Sequence, residues 1–124
     1  MKRFFFSSFG KSGSSKNTGA NVQTIRSHIT QNPVVIYTKT PCPFCKGAKE
    51  LLNSGQVEFK EFDLLTVQGG SSMHSALIEL SGQKSVPNIF IAQNHIGGFD
   101  KLKEKHSSGD LKKMLDNAGV KNIL

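Results

Sequence analysis

Cysteine, arginine and tryptophan are scarce in this chain of 124 residues, which has two cysteines, two arginines and no tryptophan. Two cysteines are too few for the disulfide scaffold of a small secreted domain, so we expect a reducing compartment and a reactive thiol pair. Both arginines precede residue 27, and no arginine fork remains for nucleic-acid binding. No apolar run approaches the roughly 18 residues of a membrane span. We therefore expect neither a nucleic-acid partner nor a membrane partner.

The net charge of +7 is concentrated near the N-terminus. Residues 1–31 hold five basic residues and no acidic one, whereas the remainder holds 11 basic and 9 acidic residues, a net charge of +2. The high pI is thus largely a property of the N-terminal segment. The remainder is expected to carry an ordinary solvated lysine surface.

Residues 1–20 differ in composition from the rest and are predicted to be a flexible or targeting segment ahead of a domain over 21–124. The segment is rich in serine and glycine and cannot bury enough apolar surface to fold alone. It also lacks acidic residues, as mitochondrial transit peptides do. A mitochondrial location is the prediction, and a plain disordered tail on a cytoplasmic protein is the alternative.

The pattern of apolar residues predicts one α/β domain with the element order αβαβαββα, in which the last helical region consists of two helices. The two strands near the C-terminus are too close in sequence to pair in any way but antiparallel. The first strand, its helix and the second strand are expected to form a right-handed parallel crossover in the same four-stranded mixed sheet, flanked by helices. The predicted helices cover 21–32, 44–53, 71–81, 100–105 and 110–118, and the predicted strands cover 34–37, 57–63, 88–91 and 95–96.

Cys42-Pro43-Phe44-Cys45 contains both thiols of the chain. Cys42 falls at the mouth of the second predicted helix, where free N–H groups and the helix dipole stabilise a thiolate, and Pro43 suits the first helical position. Lys39 adds positive charge nearby. We therefore predict that Cys42 has a low pKa and attacks, whereas Cys45, one turn further on, resolves the resulting mixed disulfide.

Two other interpretations of the cysteine pair are possible. A Cys-x-x-Cys pair is half of a structural zinc site, but such a site needs four ligands. The four histidines of the chain form no closely spaced pair, so no metal is expected. Two inert cysteines on a helix face are the other alternative. A Cys-x-x-Cys that follows a strand and opens the helix of a βαβ unit is typical of a thioredoxin-like redox motif.

Three segments together resemble the dithiol class of the glutaredoxin family. Residues 39–45 are similar to its lysine followed by Cys-Pro-Tyr-Cys, with Phe44 in place of tyrosine. Residues 82–87 resemble its Thr-Val-Pro segment, with Ser85 for threonine, and residues 97–100 resemble its Gly-Gly-x-Asp segment. The similarity extends over roughly residues 22–118 and implies a thioredoxin fold with glutathione as co-substrate.

The resemblance also implies a glutathione site next to the catalytic Cys42 and Cys45. Pro87 is expected to be cis, although a trans proline at a strand start is the alternative. Asp100 is expected to bind glutathione, cap the following helix, or do both. Lys101 and His74 depart from residues common in the family, and a solvated helix face is the alternative for His74. The implied glutathione-binding residues are Lys39, Phe44, Lys84, Ser85, Val86, Pro87, Gly98, Phe99 and Asp100.

The function that the resemblance implies is glutathione-dependent reduction of protein–glutathione mixed disulfides and of protein disulfides, by a monomer. The alternative is a dimer that binds a glutathione-ligated [2Fe–2S] cluster. Members with small residues between the cysteines bind such clusters, whereas Pro43 stiffens this turn and favours thiol exchange.

Overall fold

The computed structural model describes residues 17–124, with side-chain environments from residue 21 onward. The predicted flexible or targeting segment lies almost wholly outside these residues. Nine elements follow in chain order: α1 (Asn17–Gln31), β1 (Val34–Thr38), α2 (Pro43–Ser54), β2 (Lys60–Asp63), α3 (Gly70–Ser81), β3 (Asn88–Ile91), β4 (Asn94–Gly97), α4 (Phe99–Ser108) and α5 (Asp110–Asn117).

The four strands form one mixed sheet in the order β2-β1-β3-β4. β1 pairs parallel with β2 and antiparallel with β3, and β3 pairs antiparallel with β4. The predicted parallel crossover and the predicted hairpin are both confirmed. Since β1 is central and buried on both faces, its uninterrupted run of apolar residues suits its position.

Helices cover both faces of the sheet and produce two separate apolar clusters. Val34 and Ile36 of β1 point to one face, where they pack against α2, α4 and α5. Val35 and Tyr37 point to the other face and pack against α1 and α3. This alternation follows from the two-residue period of a strand. Because α2 begins only a few residues after β1 ends, the cysteine pair lies at the end of the sheet where β1 finishes.

Several element boundaries differ from those predicted. The second strand was predicted from residue 57 but begins at Lys60, because the Val57 N–H bonds back to the Leu52 carbonyl and Gln56 takes a φ of 57°. Val57 is nevertheless buried in the core, so its apolar character reflects burial in a loop. α1 begins earlier than Asn21. α4 continues through the predicted break at Ser107 and ends only where Gly109 takes a φ of 88°.

Candidate active site

Cys42 caps the N-terminus of α2 with its sulfur. Its backbone is extended, with φ −153° and ψ 111°, and Pro43 takes the first helical position. The Cys45 backbone N–H donates to Cys42 Sγ at 3.3 Å. The sulfur therefore satisfies one of the unpaired N–H groups of the first turn, at the positive end of the helix dipole.

Hydrogen bonds at the helix start lower the pKa of Cys42. Partial burial is the largest single influence and raises this pKa, but the Cys45 thiol and the backbone N–H groups of Cys45 and Phe44 together outweigh it. Each of these donors stabilises the thiolate more than the thiol. Cys42 is also the more accessible of the two free cysteines, so it suits the role of nucleophile.

Cys45 has the opposite environment, only one turn away. Its side chain is 3% exposed, and this burial, followed by the hydrogen bond to Cys42, raises the pKa of Cys45 to about 12. A hydrogen bond from the Lys39 backbone and the positive charge of Lys49 oppose that rise. The two thiols are thus unequal, in the sense that the sequence predicts.

On the β3 side of the helix start, Cys42 faces backbone. Its Sγ lies 3.9 Å from the Val86 carbonyl oxygen. The Val86–Pro87 peptide bond is cis, as the resemblance implies, and the Thr40–Pro41 bond is also cis, which the sequence analysis did not predict. The turn between α3 and β3 therefore places Val86 and Pro87 directly beside the reactive sulfur.

Two side chains that were not predicted as site residues hold this turn. Gln83 Nε2 donates to the Ser85 carbonyl at 2.9 Å and to the Pro87 carbonyl at 3.0 Å. His74 Nε2 lies 2.9 Å from the Lys84 carbonyl oxygen, so His74 contacts the turn and is more than part of a solvated helix face. In the sequence, Gln83 is visible only as a polar residue three positions before Val86. That position does not indicate which carbonyl groups its amide binds.

The Gly98 segment borders the same turn. Gly98 precedes α4 as its N-cap, and a Cβ atom built there would lie 3.5 Å from the Pro87 carbonyl oxygen. Phe99 turns its ring toward α2, where a Cβ on Gly47 would be only 2.6 Å from the ring. Asp100 is exposed and pairs with Lys103 at 3.7 Å.

The remaining predicted binding residues surround the cysteines at different exposures. The Lys39 side chain is half-buried, whereas Lys84 and Ser85 are exposed. Phe44 is 61% exposed, so its ring forms part of the surface at the start of α2. The structure thus places Val86, Pro87 and Gly98 along one side of the pair, and the binding role of all these residues stays a prediction.

On the β2 side of the helix start lies a cavity of about 510 Å³ that both cysteines line. Its wall includes an ion pair between Lys49 Nζ and Glu61 Oε2 at 3.0 Å. Thr38 Oγ1 donates to the same carboxylate oxygen at 2.7 Å. Nearby, Thr40 Oγ1 donates to the Asp63 carboxylate and joins the loop after β1 to the end of β2. None of these contacts is predicted by the sequence.

Within residues 17–124, no three or more His, Cys, Asp and Glu side chains lie in a group that could hold a metal ion. The helices described there also include none with the length and apolar character of a membrane span.

A four-stranded mixed sheet with an unequal Cys-x-x-Cys pair at the mouth of the helix after β1 defines a thioredoxin-fold thiol oxidoreductase. Residues 34–96 match the family model described as Glutaredoxin. A glutaredoxin of Ricinus communis is 43% identical over 92 residues, which cover 74% of this chain and 90% of that relative. Glutaredoxin-C2 of Arabidopsis thaliana is 41% identical over 99 residues, which cover 80% and 89%.

Among solved structures, the buckwheat glutaredoxin–glutathione complex superposes with a TM-score of 0.84 at 31% identity, over 88% of this chain and 99% of that chain. The chain belongs to the glutaredoxin family. The predicted thioredoxin fold and the predicted family are both confirmed.

Proposed function

We propose that this glutaredoxin is a glutathione-dependent thiol–disulfide oxidoreductase that reduces protein–glutathione mixed disulfides and protein disulfides. The observation that carries the proposal is the inequality of the two thiols. Cys42 is accessible and its pKa is lowered, while Cys45 is buried and its pKa is raised. Such a pair suits attack by one sulfur and resolution by the other.

The first step on a glutathionylated protein is a displacement at sulfur. The Cys42 thiolate attacks the glutathione sulfur, the protein–glutathione S–S bond breaks, and the protein leaves as a thiolate that takes up a proton. A new S–S bond then joins Cys42 to glutathione. Because the bonds at the start of α2 favour the thiolate of Cys42, this thiol reaches its reactive form at a lower pH than an ordinary cysteine.

The second step regenerates the enzyme. A second glutathione thiolate attacks the glutathione sulfur held on Cys42, which forms glutathione disulfide and releases Cys42 as a thiolate. For a protein disulfide, Cys45 instead attacks Cys42, and the resulting Cys42–Cys45 bond is reduced by two glutathione molecules. The same features that lower the pKa of Cys42 make it a good leaving group when glutathione disulfide forms.

Glutathione is proposed to lie along the β3 side of the helix start. Its cysteine would pair with the Val86 backbone as an added strand, and the positive charges of Lys39 and Lys84 would attract its glycine carboxylate. The N–H groups of Gly98 and Phe99, at the start of α4, suit the γ-glutamyl carboxylate, with Asp100 near its amine. The buckwheat relative was solved as a complex with glutathione, which supports glutathione as the ligand.

We further propose a monomer and, from the composition of the N-terminal segment, a mitochondrial location. No contact within residues 17–124 favours the [2Fe–2S]-binding dimer over thiol exchange.

Substitution of each cysteine separately tests the proposed function. Cys42→Ser should abolish turnover of a glutathionylated protein with glutathione, since no other thiol occupies the helix mouth. Cys45→Ser should retain this deglutathionylation and lose most reduction of protein disulfides. Release of the protein thiol would be followed by mass spectrometry. Equal activity of the two variants on the glutathione mixed disulfide would contradict the proposal.

A further inference from the structure

The resolving step requires chemistry that the start of α2 does not supply. To close onto Cys42, the Cys45 thiol must first lose its proton, yet burial, followed by the hydrogen bond to Cys42, raises the pKa of Cys45 to about 12 in the reduced enzyme. The hydrogen bonds that stabilise a thiolate at the helix mouth are directed at Cys42. Fast attack of Cys45 on Cys42 therefore needs another source of positive charge. This inference rests on the protein-disulfide branch of the proposed function.

The cavity on the β2 side brings such a charge to Cys45. Lys49 follows Cys45 by four residues, so both side chains lie on the same face of α2. Both line the cavity of about 510 Å³ together with Glu61. The positive charge of Lys49 lowers the pKa of Cys45, although burial and Cys42 outweigh it.

Contacts with the sheet fix the position of the Lys49 ammonium. Glu61 Oε2 accepts from Lys49 Nζ at 3.0 Å and from Thr38 Oγ1 at 2.7 Å. Thr38 is 1% exposed, and the side chains of Lys49 and Glu61 are 33% and 30% exposed. A lysine paired with a carboxylate that the neighbouring strand also binds keeps its charge at the cavity wall, whereas an unpaired lysine samples many rotamers.

We propose that Lys49, held in place by Glu61, is a positioning residue for the resolving step and stabilises the thiolate of Cys45 as it attacks Cys42. The Cys45 thiol gives its proton to water in the cavity. Its thiolate attacks Cys42 Sγ in the mixed disulfide, the bond from Cys42 to the substrate sulfur breaks, and the Cys42–Cys45 bond forms. The substrate leaves as a thiolate and takes up a proton, so the enzyme is oxidised and the substrate sulfur is reduced.

Other groups also influence Cys45 and must be separated from Lys49. The Cys42 thiol raises the pKa of Cys45, and the Lys39 backbone lowers it. Asp63 of β2 is also within the electrostatic reach of Lys49. Lys46 lines the same cavity but is exposed and is not paired with Glu61, which makes it a matched control.

The two chemical steps can be timed separately with a symmetrical aromatic disulfide that releases a coloured thiolate. The reduced enzyme releases one equivalent when Cys42 attacks and a second when Cys45 resolves the mixed disulfide. Cys45→Ser should abolish the second phase, which verifies the assignment. The assay contains no glutathione, so its outcome is independent of the proposed glutathione specificity.

Lys49→Met should slow the second phase roughly three- to tenfold at neutral pH and shift its pH profile upward, because a nearby opposite charge favours the thiolate. The first phase should change less than about twofold, since helix-start donors govern Cys42. Lys46→Met, which removes the same charge one turn earlier, should leave both phases unchanged. Glu61→Gln should act in the same direction as Lys49→Met, and Lys49→Arg should restore the second phase.

Three results would overturn the inference: an unchanged second phase in Lys49→Met, an equal slowing by Lys46→Met, or an equal slowing of both phases with a lowered melting temperature. The last would show that the ion pair only joins α2 to β2. If Lys49→Met fails to fold, Glu61→Gln and Lys49→Arg decide, because the first releases the ammonium and the second keeps the charge in place.

Discussion

The two sides of the helix start that carries the cysteines differ in the groups they present. On the β3 side, Cys42 faces main-chain atoms, with the Val86 carbonyl 3.9 Å from its sulfur and the Gly98 segment beyond. On the β2 side, the wall includes charged side chains, the ion pair of Lys49 and Glu61. Backbone lies on one side of the pair and fixed charge on the other.

This difference assigns a separate task to each side. Main-chain groups can pair with the backbone of any extended peptide, so the β3 side suits the docking of many substrates. A fixed charge beside a buried thiol suits a step internal to the enzyme, in which a proton must leave. Changes on one side should therefore affect attack, and changes on the other should affect resolution.

The largest expected effect is the difference in alkylation between the two thiols. With iodoacetamide at neutral pH, Cys42 should react at least about a hundredfold faster than Cys45, because the thiolate is the reactive form. The rate at Cys42 should reach half its maximum below the value of about 8.5 for a free thiol. Peptide mapping by mass spectrometry measures both rates. A half-point near that free-thiol value would remove the basis for unequal roles.

A smaller effect is expected from Gln83→Met, which removes the donor to the Ser85 and Pro87 carbonyls. Attack on a glutathionylated peptide should slow roughly three- to tenfold, since each hydrogen bond contributes about 1 kcal/mol to the conformation of the turn. The resolving phase should keep its rate. Gln23→Met, at an exposed position of α1, serves as the control. Slowing of both phases by Gln83→Met would show that the two sides are not independent.

The smallest effect concerns the pH dependence of stability on the α1 face. His28 stacks on Phe62 at 3.8 Å and lies 3.0 Å from the Tyr37 hydroxyl. Burial, and then Lys60, lower the pKa of His28, and burial lowers the pKa of His95. The unfolded chain thus binds more protons, so this stability is present above pH of about 6.5 and is lost as pH falls through the lower folded values.

The loss should stay below about 1 kcal/mol because both rings are partly solvated. Urea titrations between neutral and mildly acidic pH measure it. His28→Gln should reduce the slope, whereas Gln23→Met, at an exposed position of α1, should not. The ratio of the two thiol rates should be the same in both variants. A change in that ratio with His28→Gln would show that the α1 face of the sheet also influences the two cysteines.

Local sequence patterns were sufficient to predict the elements that position the cysteines. The run of β-branched residues from Val34 predicted β1, Pro43 predicted the start of α2, and β3 was predicted with its observed bounds, Asn88–Ile91. In each case the signal lies within a few neighbouring residues, where periodicity, a helix-start proline or an apolar run is visible.

Contacts between distant residues could not be predicted in this way. Lys49 and Glu61 are twelve residues apart and meet only because β2 lies beside β1. Sequence alone does not decide whether the ring of Phe99 faces a ligand or the core. The ring packs on α2 because Gly47 has no side chain at the point of contact. Val57 was assigned to a strand because an apolar residue in a buried loop has the same pattern as one in a strand.

The sulfur of Cys42 is at once the proposed nucleophile and the cap of α2. A thiolate accepts the Cys45 N–H more strongly than a disulfide sulfur does, so the cap is strongest in the reduced enzyme. The free energy that favours the thiolate is therefore absent once Cys42 is bonded to another sulfur. By this linkage the reduced form is stabilised relative to the oxidised form, which raises the reduction potential and makes the oxidised protein the less stable one toward unfolding.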